Sequence, residues 1–196
     1  MNTRWLGTLC IIGGFAYVVM AVYGSITQLP PGKQEQDPVM MFTVALWMLG
    51  AICGWLGFIL VRGTGNNIVV RFLSFTPIVG LLVAFVYLLY GVATGSTYIV
   101  TNPIFSTGVM LSVIGSVFVT IFALATRALA GWHKFAPLFT VLALVLGGLL
   151  QGITQDAIWG IPLCIGIAFA ILGYVVRTVP PSSRLASTTS VSGRLA

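Results

Sequence analysis

Residues 72–94 read FLSFTPIVGLLVAFVYLLYGVAT, a stretch that contains no Asp, Glu, Lys, Arg or His. A helix rises about 1.5 Å per residue, so roughly 20 apolar residues cross a hydrocarbon core about 30 Å thick. The centre of the stretch, LLVAFVYLL at 81–89, does not alternate apolar and polar residues as a transmembrane β-strand would. The stretch therefore predicts a transmembrane helix.

Five further stretches of comparable length also lack ionisable side chains and histidine, at 5–23, 39–61, 107–126, 137–154 and 158–176. The sequence therefore predicts an all-α, polytopic membrane bundle of six transmembrane helices, occupying residues 1–176 as one domain. Composition changes abruptly beyond the last stretch, to Pro, Ser, Thr and Arg. Residues 177–196 are therefore expected to form a disordered, basic, Ser/Thr-rich cytoplasmic tail.

The composition of the whole chain leads to the same class of protein. Hydrophobic residues make up 58% of its 196 residues and charged residues 6%. A soluble domain usually carries about 25% charged residues, because its surface must be hydrated. The sequence therefore excludes a soluble enzyme, a disordered regulator and a nucleic-acid-binding domain, despite a net charge of +6.

The positions of the charges predict the orientation. With six spans, one side of the membrane would hold eight of the nine basic residues, and the other would hold Lys33 with the three acids Glu35, Asp37 and Asp156. Basic residues are retained on the cytoplasmic side. Both termini are therefore expected in the cytoplasm, and the localisation is expected to be a plasma membrane, in particular a bacterial inner membrane. The eight residues are Arg4, Arg62, Arg71, Arg127, Lys134, Arg177, Arg184 and Arg194.

Three of the predicted spans end alike. The first, third and fifth finish at Tyr23-Gly24, Tyr90-Gly91 and Gln151-Gly152, each followed within three residues by threonine. Similar ends at a regular interval indicate an internal repeat. The sequence thus suggests three hairpin repeats with a common orientation, although glycine is frequent enough here for single matches to arise by chance.

The same ends suggest a candidate binding region. If three hairpins surround an axis, Tyr23, Tyr90 and Gln151 would line an outer vestibule. The acids at its border would be Glu35, Asp37 and Asp156. The alternative is that the tyrosines belong to the aromatic belt at the membrane surface and Gln151 caps a helix.

Small residues spaced four apart allow membrane helices to approach closely. Such faces serve either packing within the bundle or contact with another subunit, and both alternatives stay open here. Gly13, Gly14, Gly166 and Gly173 are further candidates for close approach. The glycines at four-residue spacing are Gly50 with Gly54, Gly91 with Gly95, and Gly148 with Gly152.

Polar chemistry in the spans is sparse. Serine and threonine there are expected to bond to the carbonyl groups of their own helix. His133 stands alone in a predicted loop, and Cys10, Cys53 and Cys164 lie in three different spans. These residues suggest no catalytic site, no metal site and no cofactor. The sequence therefore favours a protein that is not an enzyme.

Two functions remain. The first is a non-enzymatic, multi-pass membrane protein that acts through helix–helix or lipid contacts. Its partners would be the lipid bilayer and either a second copy of the chain or another membrane subunit, with no nucleic acid. The alternative is a channel or transporter for a small neutral or hydrophobic solute along the bundle axis, since the spans contain no charge to move an ion or proton.

Overall fold

A computed structural model of the chain describes residues 3–27, 33, 37–61, 63–64, 67–96, 99, 102–126, 129, 131–153 and 160–179. This part of the chain consists of helices and short turns and contains no strand. The all-α prediction is therefore confirmed. The predicted tail lies outside the described residues from position 180 onward.

Seven α-helices follow one another along the described chain. A short 3-10 helix, Gly131–Phe135, precedes the sixth. Five helical stretches are long and apolar enough to cross a membrane: Thr3–Thr27, Pro38–Leu60, Ile68–Thr94, Pro103–Thr126 and Gly160–Thr178. The remaining predicted span, the fifth at 137–154, overlaps a shorter apolar stretch, Gly131–Gly147, and stays a prediction. The α-helices are α1 (Thr3–Thr27), α2 (Pro38–Leu60), α3 (Ile68–Leu73), α4 (Thr76–Thr94), α5 (Pro103–Thr126), α6 (Ala136–Ile153) and α7 (Gly160–Thr178).

The span predicted at 72–94 is interrupted near its beginning. α3 ends at Leu73, and α4 begins at Thr76 with a proline at its second position. Pro77 has no amide hydrogen to donate to the preceding turn, and its ring disfavours helical conformation in the residue before it. A 3.1 Å bond from the amide of Phe75 to the carbonyl of Phe72 tightens the chain at the break.

The helices pack in an order that closes on itself. Consecutive antiparallel pairs form between α1 and α2, α4 and α5, and α6 and α7. Neighbouring pairs meet where α2 packs on α4, α5 on α6 and α7 on α1, and α2 also contacts α7. The interface between α1 and α7 is the most extensive, although these helices are far apart in sequence. This order accommodates the proposed hairpin repeat, which nonetheless stays a prediction.

A continuous hydrophobic core joins the helices. Its largest fully buried members are Trp55 and Phe58, both on α2. The same cluster includes Leu172 and Val176 of α7 and extends through α4 and α5 to Ala143 of α6. Because the paired helices are antiparallel, α1, α4 and α6 begin at one end of the bundle, and α2, α5 and α7 end there. We call this the basic end, because it carries Arg4, Arg71, Lys134 and Arg177.

Candidate functional site

The residues of the suggested outer vestibule have different surroundings. Tyr23 is half-buried near the end of α1, and its hydroxyl donates a 3.2 Å hydrogen bond to Oδ2 of Asp37. Tyr90 is 62% exposed, and its ring lies 6.1 Å from that of Tyr87 on the same helix. The side chain of Gln151 and all of Asp156 lie outside the described residues. The vestibule therefore stays a prediction.

Asp37 joins α1 to α2. Its Oδ1 accepts bonds of 2.9 and 3.0 Å from the amides of Val39 and Met40, so this carboxylate caps α2. The other oxygen receives the bond from Tyr23. One side chain thus satisfies two amide groups at the start of a helix and fixes that helix to its neighbour.

Replacing the cap should have a measurable cost. Asp37→Ala removes the acceptor of all three bonds and should lower the free energy of unfolding by about 1 kcal/mol, the usual value of an N-cap. Asp37→Asn is the matched control, because asparagine caps helices as well as aspartate does. Thermal unfolding in detergent should place Asn near the unmodified chain and Ala below it. Equal loss in both variants would contradict the assignment of the cap.

Gly50 and Gly54 are used within the bundle. A Cβ built on Gly50 would lie 2.8 Å from Cα of Gly13 on α1 and 2.9 Å from the carbonyl oxygen of Leu9. On Gly54 it would run into Sγ of Cys10, which is fully buried between the helices. These two glycines therefore allow close packing of α1 on α2 inside one chain.

The other glycines at four-residue spacing have different surroundings. Gly91 faces the side chain of Ile99, 2.6 Å from where its Cβ would be. Gly95 ends α4 in the left-handed conformation with φ of 65°, and a Cβ there would meet open space. Its place in the sequence reflects helix termination, for which glycine is preferred. Gly148 and Gly152 lie in α6, where their packing is outside what the structure describes.

Close backbone contacts also join α1 to α7. A Cβ on Gly7 would lie 2.5 Å from the carbonyl oxygen of Gly173, and one on Gly14 would lie 2.5 Å from that of Gly166. Gly7 and Gly14 are seven residues apart on α1, and Gly166 and Gly173 are seven residues apart on α7. The two glycines of each helix therefore lie on one face of it. The sequence predicts close approach at Gly14, Gly166 and Gly173, whereas the structure adds Gly7. The seven-residue interval was the available signal.

The hydroxyl groups in the spans bond locally, as the sequence predicts. Ser116 donates to the carbonyl of Ser112 at 2.8 Å, and Thr120 donates to that of Ser116 at the same distance. Thr43 and Thr140 bond to their own helices in the same way. These buried hydroxyls are therefore engaged by the backbone.

An apolar groove lies on the outside of the bundle. It lies between α1 and α7, has a cavity volume of about 360 Å³, and is lined almost wholly by apolar atoms. That volume is within the usual range for ligand-binding pockets, about 300–1,000 Å³. We call it the α1/α7 groove; its lining residues are Ile11, Phe15, Val18, Trp132, Ile167, Ala170, Ile171 and Tyr174.

Two aromatic rings close the groove toward the basic end. The indole of Trp132, from the 3-10 helix, stacks on Tyr174 of α7, with ring centres 6.2 Å apart and an interplanar angle of 15°. Trp132 also contacts the ring of His133 at 4.7 Å. Trp and Tyr favour the interface between hydrocarbon and headgroups, because each has an apolar body and a polar tip. The groove thus runs from an aromatic boundary into the apolar part of the bundle.

Other chemistry-bearing residues are dispersed over the described chain. Cys10 donates through Sγ to the carbonyl of Phe169 at 3.1 Å, and Cys53 and Cys164 are free thiols. Within the described residues, no three His, Cys, Asp or Glu side chains are placed to share a metal ion. The chain matches no protein-family model, no curated protein and no solved structure.

Proposed function

We propose that the protein is a non-enzymatic, multi-pass membrane protein that binds the acyl chain of a membrane lipid in the α1/α7 groove. The groove supports this proposal, because it offers about 360 Å³ of apolar space between two helices that pack closely at glycines. An acyl chain matches this lining because it offers apolar contact along its whole length and needs no hydrogen bonds.

The packing of the glycines supports lipid contact over contact with another subunit. Gly7, Gly14, Gly50 and Gly54 all face helices of their own chain. Close association of membrane helices relies on such small residues at the contact surface. With these faces occupied internally, what the described helices present outward is mainly large side chains suited to lipid, among them Phe15.

The packing of the core favours lipid binding over a pathway for solute along the bundle axis. Trp55, Phe58 and Leu172 are fully buried where α2 faces α7, and Trp47 stacks on Tyr17 with ring centres 4.3 Å apart. A pathway for solute would need open space between the helices, whereas these large side chains fill the volume between α1, α2 and α7.

The orientation and location belong to the same proposal. Among the described residues, Arg4, Arg71, Lys134 and Arg177 share one end of the bundle, whereas Lys33 and Asp37 belong to the other. By the distribution of basic residues, the basic end faces the cytoplasm. The membrane would be a bacterial plasma membrane, with both termini in the cytoplasm.

Filling the groove should displace its lipid. Ala170→Phe places a ring in the groove, and Ile167→Trp fills it from a position that is already half exposed. Native mass spectrometry of protein released from detergent would measure the fraction of molecules that retain a phospholipid. We expect retention to fall roughly tenfold in either variant, equivalent to a loss of about 1.4 kcal/mol of binding free energy.

Ala93→Phe is the matched control, because Ala93 is an exposed alanine on α4 that does not line the groove. It should retain lipid like the unmodified chain. Circular dichroism and gel filtration would show that each variant is folded. Undiminished lipid retention in folded Ala170→Phe and Ile167→Trp would refute the proposed function.

A further inference from the structure

We infer that the lipid held in the α1/α7 groove is an anionic phospholipid whose headgroup lies between Arg4 and Arg177. This inference depends on the proposed function and adds the chemical class of the ligand. The groove supplies the apolar contact, and the two arginines lie where its two walls continue toward the basic end.

The wall formed by α1 leads to Arg4. Ile11, Phe15 and Val18 line the groove at intervals of four and three residues, which places them on one face of the helix. Arg4 precedes Ile11 by seven residues, two helical turns, and therefore belongs to the same face about 10 Å nearer the basic end. Its side chain is exposed.

The wall formed by α7 leads to Arg177 in the same way. Ala170 lines the groove, and Arg177 follows it by seven residues in the last turn of the helix. Arg177 is exposed, and its backbone lies against α1, since a Cβ on Gly7 would be 2.7 Å from its amide nitrogen. Arg4 is one turn before Gly7. The two arginines therefore flank the same end of the groove.

The aromatic pair lies between the apolar and charged parts of this site. Tyr174 lines the groove one turn before Arg177 on α7, and Trp132 of the 3-10 helix stacks on it. Lys134 follows Trp132 by two residues, with Nζ 5.1 Å from the centre of the Phe135 ring. The order from acyl-chain groove to aromatic rings to basic side chains matches the order of chain, interface and phosphate in a phospholipid.

The charges elsewhere in the described chain support an anionic ligand. Within the described residues, the acidic side chain is that of Asp37. It caps α2 and accepts a hydrogen bond from Tyr23, at the end of the bundle opposite Arg4 and Arg177. Arginine also presents a planar set of donors that suits phosphate oxygens. A negative headgroup would therefore complement the charge at this end of the groove.

The test compares phosphatidylglycerol with phosphatidylcholine of identical acyl chains, each added to the full-length protein in detergent. Native mass spectrometry measures the ratio of the two lipids retained. We expect phosphatidylglycerol to be preferred, with the preference falling roughly fivefold in Arg4→Gln and in Arg177→Gln and vanishing in the double variant. Arg71→Gln removes the same charge at the same end, on α3, away from the groove, and should keep the preference.

Each of the other outcomes contradicts a different part of the proposal. Equal retention of both lipids, still abolished by Ala170→Phe, would overturn the anionic headgroup and leave the groove's function intact. Retention of neither lipid would refute the proposed function itself. Displacement of phosphatidylglycerol by millimolar inorganic phosphate would show a site for free phosphate instead of a lipid. A lipid-free dimer that Ala170→Phe dissociates would show that a second copy of the chain occupies the groove.

Discussion

Gly14→Leu is expected to lower the free energy of unfolding by about 3 kcal/mol or more, a large part of the total stability of a typical protein. The Cβ of any side chain at this position would lie 2.5 Å from the carbonyl oxygen of Gly166 and 2.8 Å from the amide nitrogen of Ala170. Both atoms belong to the backbone of α7, so they cannot move aside as a flexible side chain could. The two helices would have to separate.

The alanine variant gives a sharper test of the same contact. Alanine is favoured over glycine within a helix by about 1 kcal/mol, so propensity alone predicts that Gly14→Ala is stabilising. The contact with Gly166 predicts that it is destabilising. Ala93→Leu, on the exposed side of α4, is the control for added volume and should unfold like the unmodified chain. Thermal unfolding in detergent measures all three, and a stabilised Gly14→Ala would contradict the close packing of α1 on α7.

Trp55→Ala should cost about 3–5 kcal/mol of unfolding free energy, the range measured when a large buried aromatic side chain is truncated. Trp55 is 0% exposed, and its ring lies edge-on to Phe58 and to Phe169 of α7, with centres 6.4 and 6.2 Å away. Removing it would leave a cavity where α2 faces α7. The matched control is Trp5→Ala at a position that is 68% exposed, which should change stability by less than about 0.5 kcal/mol.

A second substitution separates the volume of Trp55 from its polar group. The indole Nε1 has no hydrogen-bond partner among the described residues. Trp55→Phe keeps much of the apolar contact and removes this unsatisfied donor, so it should cost clearly less than Trp55→Ala. Urea unfolding followed by intrinsic fluorescence would rank the variants. Equal destabilisation by Phe and Ala would show that the indole nitrogen has a partner after all.

The helices could be predicted from the sequence because their signal is local. Length without charge defines a span, and α2, for example, begins and ends within one residue of the prediction at 39–61. Local signals also explain the exceptions. Pro77 accounts for the break before α4, and Gly95 ends that helix in the left-handed conformation for which glycine is preferred.

The groove could not be predicted in the same way, because it depends on how two helices are rotated relative to one another. Gly14 faces α7 and its neighbour Gly13 faces α2, although the sequence shows them as an undifferentiated pair. That division fixes which face of α1 remains outside, and hence that Phe15 lines the groove. Trp132 comes from a different part of the chain altogether, and nothing in the local sequence connects it with Tyr174.

Photo-crosslinking with a phospholipid that carries a diazirine on its acyl chain tests the central claim most directly. The full-length protein would be irradiated in a bilayer, and the modified residues would be located by peptide mass spectrometry. A lipid held in the groove predicts adducts concentrated at Phe15, Ile167 and Ile171. Labelling of Val86 on α4, which is 63% exposed, to the same extent as Phe15, which is 61% exposed, would contradict it, because both side chains would then contact only bulk lipid.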